Sequence, residues 1–196
     1  MAGVIIVSGP PCTGKTTIAK RLAVDLRLPF LYKDRIKESL FDSLGVGDPA
    51  SGVGEALAWS QRLGAAAMDL LYVWVDAELA AGRSLLVESN FYAAQATQRF
   101  RALQARYPFA TFQVQCRTAG AVLLARFQTR ATAGTRHPGH LDALNYEHLA
   151  PVMQRGYSDG LDLGGEVIHL DTTDFARVDY GALLAAAQAF LARQPG

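Results

Sequence analysis

The sequence predicts an α/β protein built on a doubly wound, parallel, five-stranded sheet with helices on both faces. Five short apolar runs are spread along the 196 residues, and segments with helical periodicity lie between them. The runs are continuously apolar rather than alternating, which is typical of strands buried on both faces of a parallel sheet. No internal repeat or linker divides the chain, so we expect residues 1–196 to form a single domain.

The elements can be placed from the periodicity of apolar residues and from turn residues. The predicted strands are Val4–Gly9, Pro29–Lys33, Ser84–Ser89, Thr111–Cys116 and Val167–Asp171. Helical spacing predicts six helices. The first follows the first strand, and the second runs through Ile36 and stops at Gly45. The other four cover Glu55–Ala81, Ala94–Pro108, Ala119–Ala131 and Asp179–Arg193. Thr118 is the expected cap of the fifth helix, and Gly45–Gly54 and Ala133–His140 are the expected loops.

Composition and charge narrow the possible functions. Half of the residues are hydrophobic, and the formal net charge is +1, from 19 basic and 18 acidic residues. This balance does not favour a nucleic-acid or membrane-surface protein. Cys12 and Cys116 match no metal or redox spacing, and free thiols favour a cytoplasmic protein. We expect no signal peptide and no membrane span, because the apolar stretches are too short.

The most specific signal follows the first strand. The stretch "GPPCTGKT" fits the phosphate-binding pattern G-x-x-x-x-G-K-[ST], and it lies between a predicted strand and a predicted helix, as this motif requires. Its backbone N–H groups would surround phosphate oxygens, with Lys15 on the β- and γ-phosphates and the Thr16 hydroxyl on Mg²⁺. The predicted ATP-binding residues of this loop are Gly9, Cys12, Thr13, Gly14, Lys15, Thr16 and Thr17.

Polar residues at the ends of two other strands are candidates for chemistry, because ligands bind at the carboxyl ends of parallel strands. Asp34 can accept the proton of a hydroxyl that attacks the γ-phosphate, or it can simply cap a helix. Arg35 is a candidate for substrate binding or a solvated side chain. Glu88 ends strand three and can hold Mg²⁺, while Asn90 can contact the substrate or belong to a plain turn.

A basic, glycine-containing segment lies late in the chain, over residues 126–141. Arg126 and Arg130 are four residues apart and share a helix face, and Arg136 lies in the loop beyond. Arginines on a lid that closes over ATP would neutralise the charge of the transferring phosphoryl group. The alternative is a solvated arginine face.

Together these segments resemble the P-loop small-molecule kinases of the nucleoside-monophosphate-kinase-like group. The chain is especially similar to the AAA-type ATPase domain family that includes chloramphenicol phosphotransferase, polynucleotide kinase and zeta-toxin relatives. The residues that carry the resemblance are "GPPCTGKTT", "KDRIKESL", "LLVESNF", "RFQTRATAGTRHPGH" and "LDTTD".

The resemblance implies the sheet order 2-3-1-4-5, transfer of the ATP γ-phosphoryl group, the substrate base at Asp34 and lid arginines at Arg126, Arg130 and Arg136. Strand three ends in Glu88-Ser-Asn rather than in the Asp-Gly-x-Pro-Arg run of nucleotide kinases, which disfavours a nucleoside monophosphate as acceptor.

The sequence therefore predicts an ATP- and Mg²⁺-dependent kinase that phosphorylates a hydroxyl of a small molecule, such as a sugar, a sugar acid, a nucleoside or an aminoglycoside- or phenicol-like antibiotic. Two alternatives are a polynucleotide 5′-hydroxyl kinase and a nucleotide-binding switch that hydrolyses the nucleotide without an acceptor. The acceptor pocket is expected to lie along Asp34–Gly54 and the long helix after it, including Trp59, Tyr72 and Trp74.

Overall fold

The sheet forms the centre of the molecule. The computed structural model describes residues 1–45, 52–134, 136–141 and 146–194, without the side chain of His148. The five strands are all parallel and pair in the order β2-β3-β1-β4-β5. They are β1 Ala2–Ser8, β2 Phe30–Tyr32, β3 Leu85–Glu88, β4 Phe109–Arg117 and β5 Glu166–Asp171. The predicted fold class and the order implied by the resemblance are confirmed.

The helices that connect the strands lie close to their predicted positions. They are α1 Lys15–Leu26, α2 Lys33–Leu44, α3 Gly52–Ala80, α4 Ala93–Gln104, α5 Gly120–Thr132, α6 Tyr146–Arg155 and α7 Tyr180–Ala192. The expected loop Gly45–Gly54 ends earlier than predicted, because α3 already begins at Gly52. Residues 46–51 lie outside the described part of the chain. In the other expected loop, Thr135 is likewise outside it.

Two local predictions differ from the structure. Helix α6 was not predicted, because Pro151 lies inside it and a proline removes a backbone donor and normally marks a helix boundary. The expectation that Thr118 caps α5 is wrong. The N-cap residue is Ala119, which makes no side-chain cap, while the Thr118 hydroxyl pairs with the Thr172 hydroxyl at 2.6 Å.

The core lies on both faces of the sheet, as the continuously apolar strands predicted. In β1, Val4 and Ile6 face the side covered by α3 and α4, whereas Ile5 and Val7 face α1 and α7. All four side chains are fully buried. Because β1 is the central strand, the loop that follows it lies at the middle of the sheet's carboxyl edge.

A small satellite cluster, formed by Leu123, Phe127 and Met153, joins α5 to α6. Here Gly120 allows the backbones to approach closely, since a Cβ atom on it would lie 2.2 Å from the carbonyl oxygen of Gln154.

Gly120→Ala should therefore destabilise the protein. A methyl group that meets rigid backbone forces the two helices apart, and overpacking of this kind costs about 1–3 kcal/mol. The measurement is the free energy of unfolding in urea. The matched control is Gly54→Ala, where nothing lies within 4 Å of the added atom and a small gain in helix stability is expected. Equal stability of the two variants would contradict this account of the contact.

The two cysteines are free thiols, and burial raises the pKa of Cys116 to about 12.

Among the helices of the described residues, even the 29-residue α3 lacks the sustained hydrophobicity that a membrane span needs.

Candidate active site

The loop between β1 and α1 has the geometry of a phosphate cradle. Helix α1 begins at Lys15, and its N-cap residue Gly14 has a left-handed backbone with φ of 79° and provides no side-chain cap. Within the described part of the chain, nothing accepts a hydrogen bond from the backbone N–H groups of Thr13–Thr16. Unpaired N–H groups at a helix N-terminus favour an anion. The predicted donors are therefore available for phosphate oxygens.

The loop is held in this shape by its own residues and by neighbouring strands. Gly9 has a φ of 148°, and a Cβ atom there would lie 2.5 Å from the carbonyl oxygen of Cys116 on β4. The buried Thr13 hydroxyl donates to the carbonyl oxygen of Pro10 at 3.0 Å. Cys12 also has a left-handed backbone, with φ of 66°. These contacts hold the loop in the shape of a cradle.

Lys15, Thr16 and Glu88 meet at the inner end of the cradle. The Lys15 ammonium donates to the Pro10 carbonyl at 3.3 Å and lies 4.0 Å from Glu88 Oε1, while the Thr16 hydroxyl donates to Glu88 Oε2 at 2.6 Å. Burial raises the pKa of Glu88, against the opposing effects of Lys15 and Thr16. The register of β1 with β3 sets Glu88 beside Val7, so the carboxylate ends a buried strand next to the cradle.

This arrangement fits a magnesium ion. Mg²⁺ in phosphoryl-transfer sites is held by one or two protein oxygens, by waters and by the phosphates of the nucleotide. The Thr16 hydroxyl and the Glu88 carboxylate supply two such oxygens in mutual contact. Groups of three or more metal-ligating His, Cys, Asp or Glu side chains are absent from the described residues.

Asp34 lies in the first turn of α2, at the carboxyl end of β2. The helix's N-cap residue is Tyr32, so Asp34 is not its cap. Its carboxylate accepts a hydrogen bond from Arg136 at 3.1 Å and lies 3.8 Å from the Lys33 ammonium. Burial alone would raise the pKa of Asp34, but His140 in its protonated form and the cations Lys33, Lys15 and Arg136 outweigh it and hold the pKa well below its usual range. Asp34 is therefore ionised at neutral pH.

A cavity of about 500 Å³ connects the cradle to Asp34 and extends between α3 and α4. It contains most of the predicted site residues outside the loop, including Asn90, whose amide oxygen accepts weakly from the Ser89 hydroxyl at 3.4 Å. The side chains that bear polar or charged groups on it include Lys15, Lys33, Asp34, Lys37, Ser60, Tyr72, Glu88, Asn90, Arg99, Arg130, Arg136 and His140.

The three predicted lid arginines do not all point into the cavity. Arg130 and Arg136 line the cavity. Arg126 points elsewhere: it donates to the carbonyl oxygen of Cys12 at 3.4 Å and to those of Thr172 and Thr173 at 3.0 and 2.9 Å. It therefore ties α5 to the phosphate loop and to the loop after β5.

The segment 136–141 packs on α2 and α3. His137 Nε2 lies 2.9 Å from Asp42 Oδ1, and the Ser60 hydroxyl donates to the carbonyl oxygen of Gly139 at 3.1 Å. Burial, together with Arg136, Lys37 and Lys33, lowers the pKa of His140 to about 3 despite the nearby Asp34, so its ring is neutral and lies 3.2 Å from Glu38 Oε1. The segment forms part of the wall around Asp34.

Some candidates lie away from the cavity. Arg35 is exposed and does not line it; the buried cation of α2 is Lys37, whose ammonium donates to the Ser60 hydroxyl at 2.8 Å. Lys37 lies three residues after Asp34, so helical spacing was a usable signal that the sequence analysis missed. Trp59 donates to the Gly45 carbonyl and Trp74 packs on the core, so only Tyr72 of the three expected aromatic residues reaches the cavity.

Comparison with known proteins identifies the family of the chain. The model of the AAA_33 family, an AAA domain, matches residues 4–150. A crystal structure from Chloroflexus aurantiacus J-10-fl, described as a "putative kinase", is 36% identical, covers 97% of this chain and 96% of its own, and has a TM-score of 0.83. No curated protein matches the chain.

More distant structures share the fold alone. A sugar kinase from Janibacter sp. HTCC2649 is 18% identical over 100% of this chain and 96% of its own, with a TM-score of 0.51. Kti12 from Chaetomium thermophilum, in complex with ADP-AlF3, is 19% identical over 96% and 98% of the two chains, with a TM-score of 0.56. By its sequence, its sheet order and its phosphate loop, the chain belongs to the AAA_33 family of AAA domains and is a P-loop kinase of the AAA type.

Proposed function

We propose that the protein is a kinase that uses ATP and Mg²⁺ to phosphorylate a hydroxyl group of a small molecule. The observation that carries this proposal is that the phosphate cradle and an ionised Asp34 open into one cavity. A nucleotide-binding switch needs the cradle but does not need a carboxylate and a cavity beside it. The cavity of about 500 Å³ suits an acceptor of metabolite size.

In the proposed reaction the side chains have separate roles. Loop amides and Lys15 hold the β- and γ-phosphates, and Arg130 and Arg136 neutralise charge on the transferring group. Asp34 orients the acceptor hydroxyl and takes its proton as the hydroxyl oxygen bonds to the γ-phosphorus and the bond to ADP breaks. Thr16 and Glu88 would hold Mg²⁺, which supplies positive charge to the phosphates.

The function can be tested by measuring ATP consumption with a library of hydroxylated metabolites and antibiotics. We expect an acceptor that raises consumption well above background and a phosphorylated product detectable by mass spectrometry. Hydrolysis that no acceptor alters would favour the switch. Transfer to a 5′-hydroxyl oligonucleotide, but not to small molecules, would favour a polynucleotide kinase.

We expect the segment 136–141 to act as the lid over the reaction. Its side-chain contacts with α2 include two single hydrogen bonds, from the rings of His137 and His140 to carboxylates, which give limited protection against local opening. Backbone hydrogen exchange of this segment should slow when an ATP analogue and the acceptor bind together, because the phosphates add a partner for Arg136. Residues 109–117 of β4 serve as the internal reference.

Arg136→Ala should abolish most of this slowing while leaving ATP affinity nearly unchanged. Exchange that is equally fast with and without ligands in the unaltered protein would show that the segment is only part of a fixed wall.

A further inference from the structure

Lys33 is a cavity residue without an assigned role. It is the first residue of α2, directly before Asp34, and its side chain is only 18% exposed. The ammonium lies 3.8 Å from Asp34 Oδ1 and makes no hydrogen bond within the part of the chain that the structure describes. A largely buried ammonium with unused donors on a cavity wall is positioned to bind a ligand.

The space beside this ammonium is kept open by a glycine of α3. A Cβ atom on Gly64 would lie 3.8 Å from Lys33 Nζ and 3.9 Å from Lys33 Cε, and among the described residues no side chain from another element comes closer. One turn on either side, Ser60 and Met68 also line the cavity. Lys33 therefore borders the part of the cavity that lies along α3.

The electrostatics at Lys33 favour a negative ligand. Burial lowers the pKa of Lys33, and Lys15 and Arg136 add to this effect, although Asp34 and Glu88 oppose it. The carboxylates are already engaged, Asp34 by Arg136 and Glu88 by Thr16. An anion placed next to the ammonium would restore the interactions that burial removes.

We propose, on the basis of the kinase function above, that Lys33 binds an oxygen anion of the acceptor. The acceptor is then an acidic alcohol, with a carboxylate or a phosphate near the hydroxyl that Asp34 holds. The 3.8 Å between Lys33 Nζ and Asp34 Oδ1 matches a molecule that presents a hydroxyl and an anionic oxygen on neighbouring or nearby carbons. Cationic acceptors such as aminoglycosides are disfavoured by the same charge.

The test uses pairs of acceptors that differ in the anion: glycerate and glycerol, gluconate and sorbitol, ribose 5-phosphate and ribose, with a nucleoside and a phenicol as neutral aromatic probes. A charge-assisted hydrogen bond contributes about 1.5–3 kcal/mol, so the best acid should exceed its neutral partner by ~10–100-fold in kcat/KM. The carboxylate and phosphate pairs show which anion is used.

Lys33→Met should remove this preference by raising the acceptor KM, while ATP affinity stays within about twofold because the loop amides and Lys15 remain. Lys33→Arg should retain part of the preference for acidic acceptors. Thermal melts verify that each variant is folded. Lys20→Met is the matched control, since Lys20 is exposed on α1 and lies over the Tyr32 ring rather than in the cavity.

The outcomes separate this proposal from the function on which it rests. Neutral acceptors that match their acidic partners in kcat/KM, or that are the better substrates, overturn the acceptor class and leave the kinase function intact. If Lys33→Met lowers kcat equally for acidic and neutral acceptors, Lys33 acts on the γ-phosphate. That result also overturns the proposal that Lys33 binds the anion of the acceptor. ATP consumption that no member of the panel alters counts against both proposals.

Discussion

Asp34→Asn should lower acceptor-dependent phosphoryl transfer by ~10²–10⁴-fold, the usual contribution of a general base. Asparagine keeps the shape of the side chain but cannot take the proton of the acceptor hydroxyl. ATP affinity should change little, because the loop amides, Lys15 and Thr16 are intact. Slow hydrolysis of ATP without acceptor should also persist. The measured quantity is the ratio of transfer to background hydrolysis in the variant and the unaltered protein.

The structure supplies a matched control on the same helix. Asp42 contacts His137 of the lid segment but does not line the cavity. Asp42→Asn therefore weakens the docking of the segment without changing the carboxylate at Asp34, and it should have a much smaller effect on the ratio. If Asp34→Asn leaves the ratio within a few-fold of the unaltered protein, Asp34 is not the base and the switch again becomes the better explanation.

Lys15→Ala should abolish measurable ATP turnover. Removal of one preorganised charge from a phosphoryl-transfer site costs on the order of 10²–10³-fold in rate, and this lysine also helps to bind the phosphates before the reaction. Both kcat/KM for ATP and the affinity for a non-hydrolysable ATP analogue should fall. Acceptor affinity measured without nucleotide should be unaffected, since Asp34 and Lys33 remain.

Lys15→Met is a useful companion variant because it keeps the apolar stem, which packs beside a buried Glu88. Lys20→Met again controls for the loss of a lysine from α1. Undiminished turnover in a folded Lys15→Ala protein would remove the phosphate-cradle assignment, and with it the kinase function.

The phosphate half of the site could be predicted because its information is local. An eight-residue glycine pattern between a strand and a helix is enough to predict the cradle. The positions of Asp34 and Glu88 could be predicted because each follows or ends a strand, and parallel strands end at one edge of the sheet. The acceptor half depends on packing. Gly64 and Met68 reach the cavity only because α3 lies against α2, and helical periodicity does not say which face of α3 does so.

Arg126 and Arg130 show the same limit within a single helix. Four residues apart, they share a face, as predicted, but one turn advances about 5.4 Å along the axis. That distance takes Arg126 to backbone carbonyls and Arg130 to the cavity. Sequence spacing gives the direction of a side chain around the helix, and only the tertiary structure gives what lies there.

The bonds from Arg126 to three carbonyls have an implication for how such a protein can diversify. They join α5 to the phosphate loop and to the loop after β5, through main-chain atoms that any sequence retains. The side of α3 that lines the cavity can then vary without disturbing the phosphate loop. Relatives that keep the phosphate loop and differ in acceptor are the expected product of this division, and exchanging the cavity-lining face of α3 while keeping Arg136 is a rational route to a new specificity.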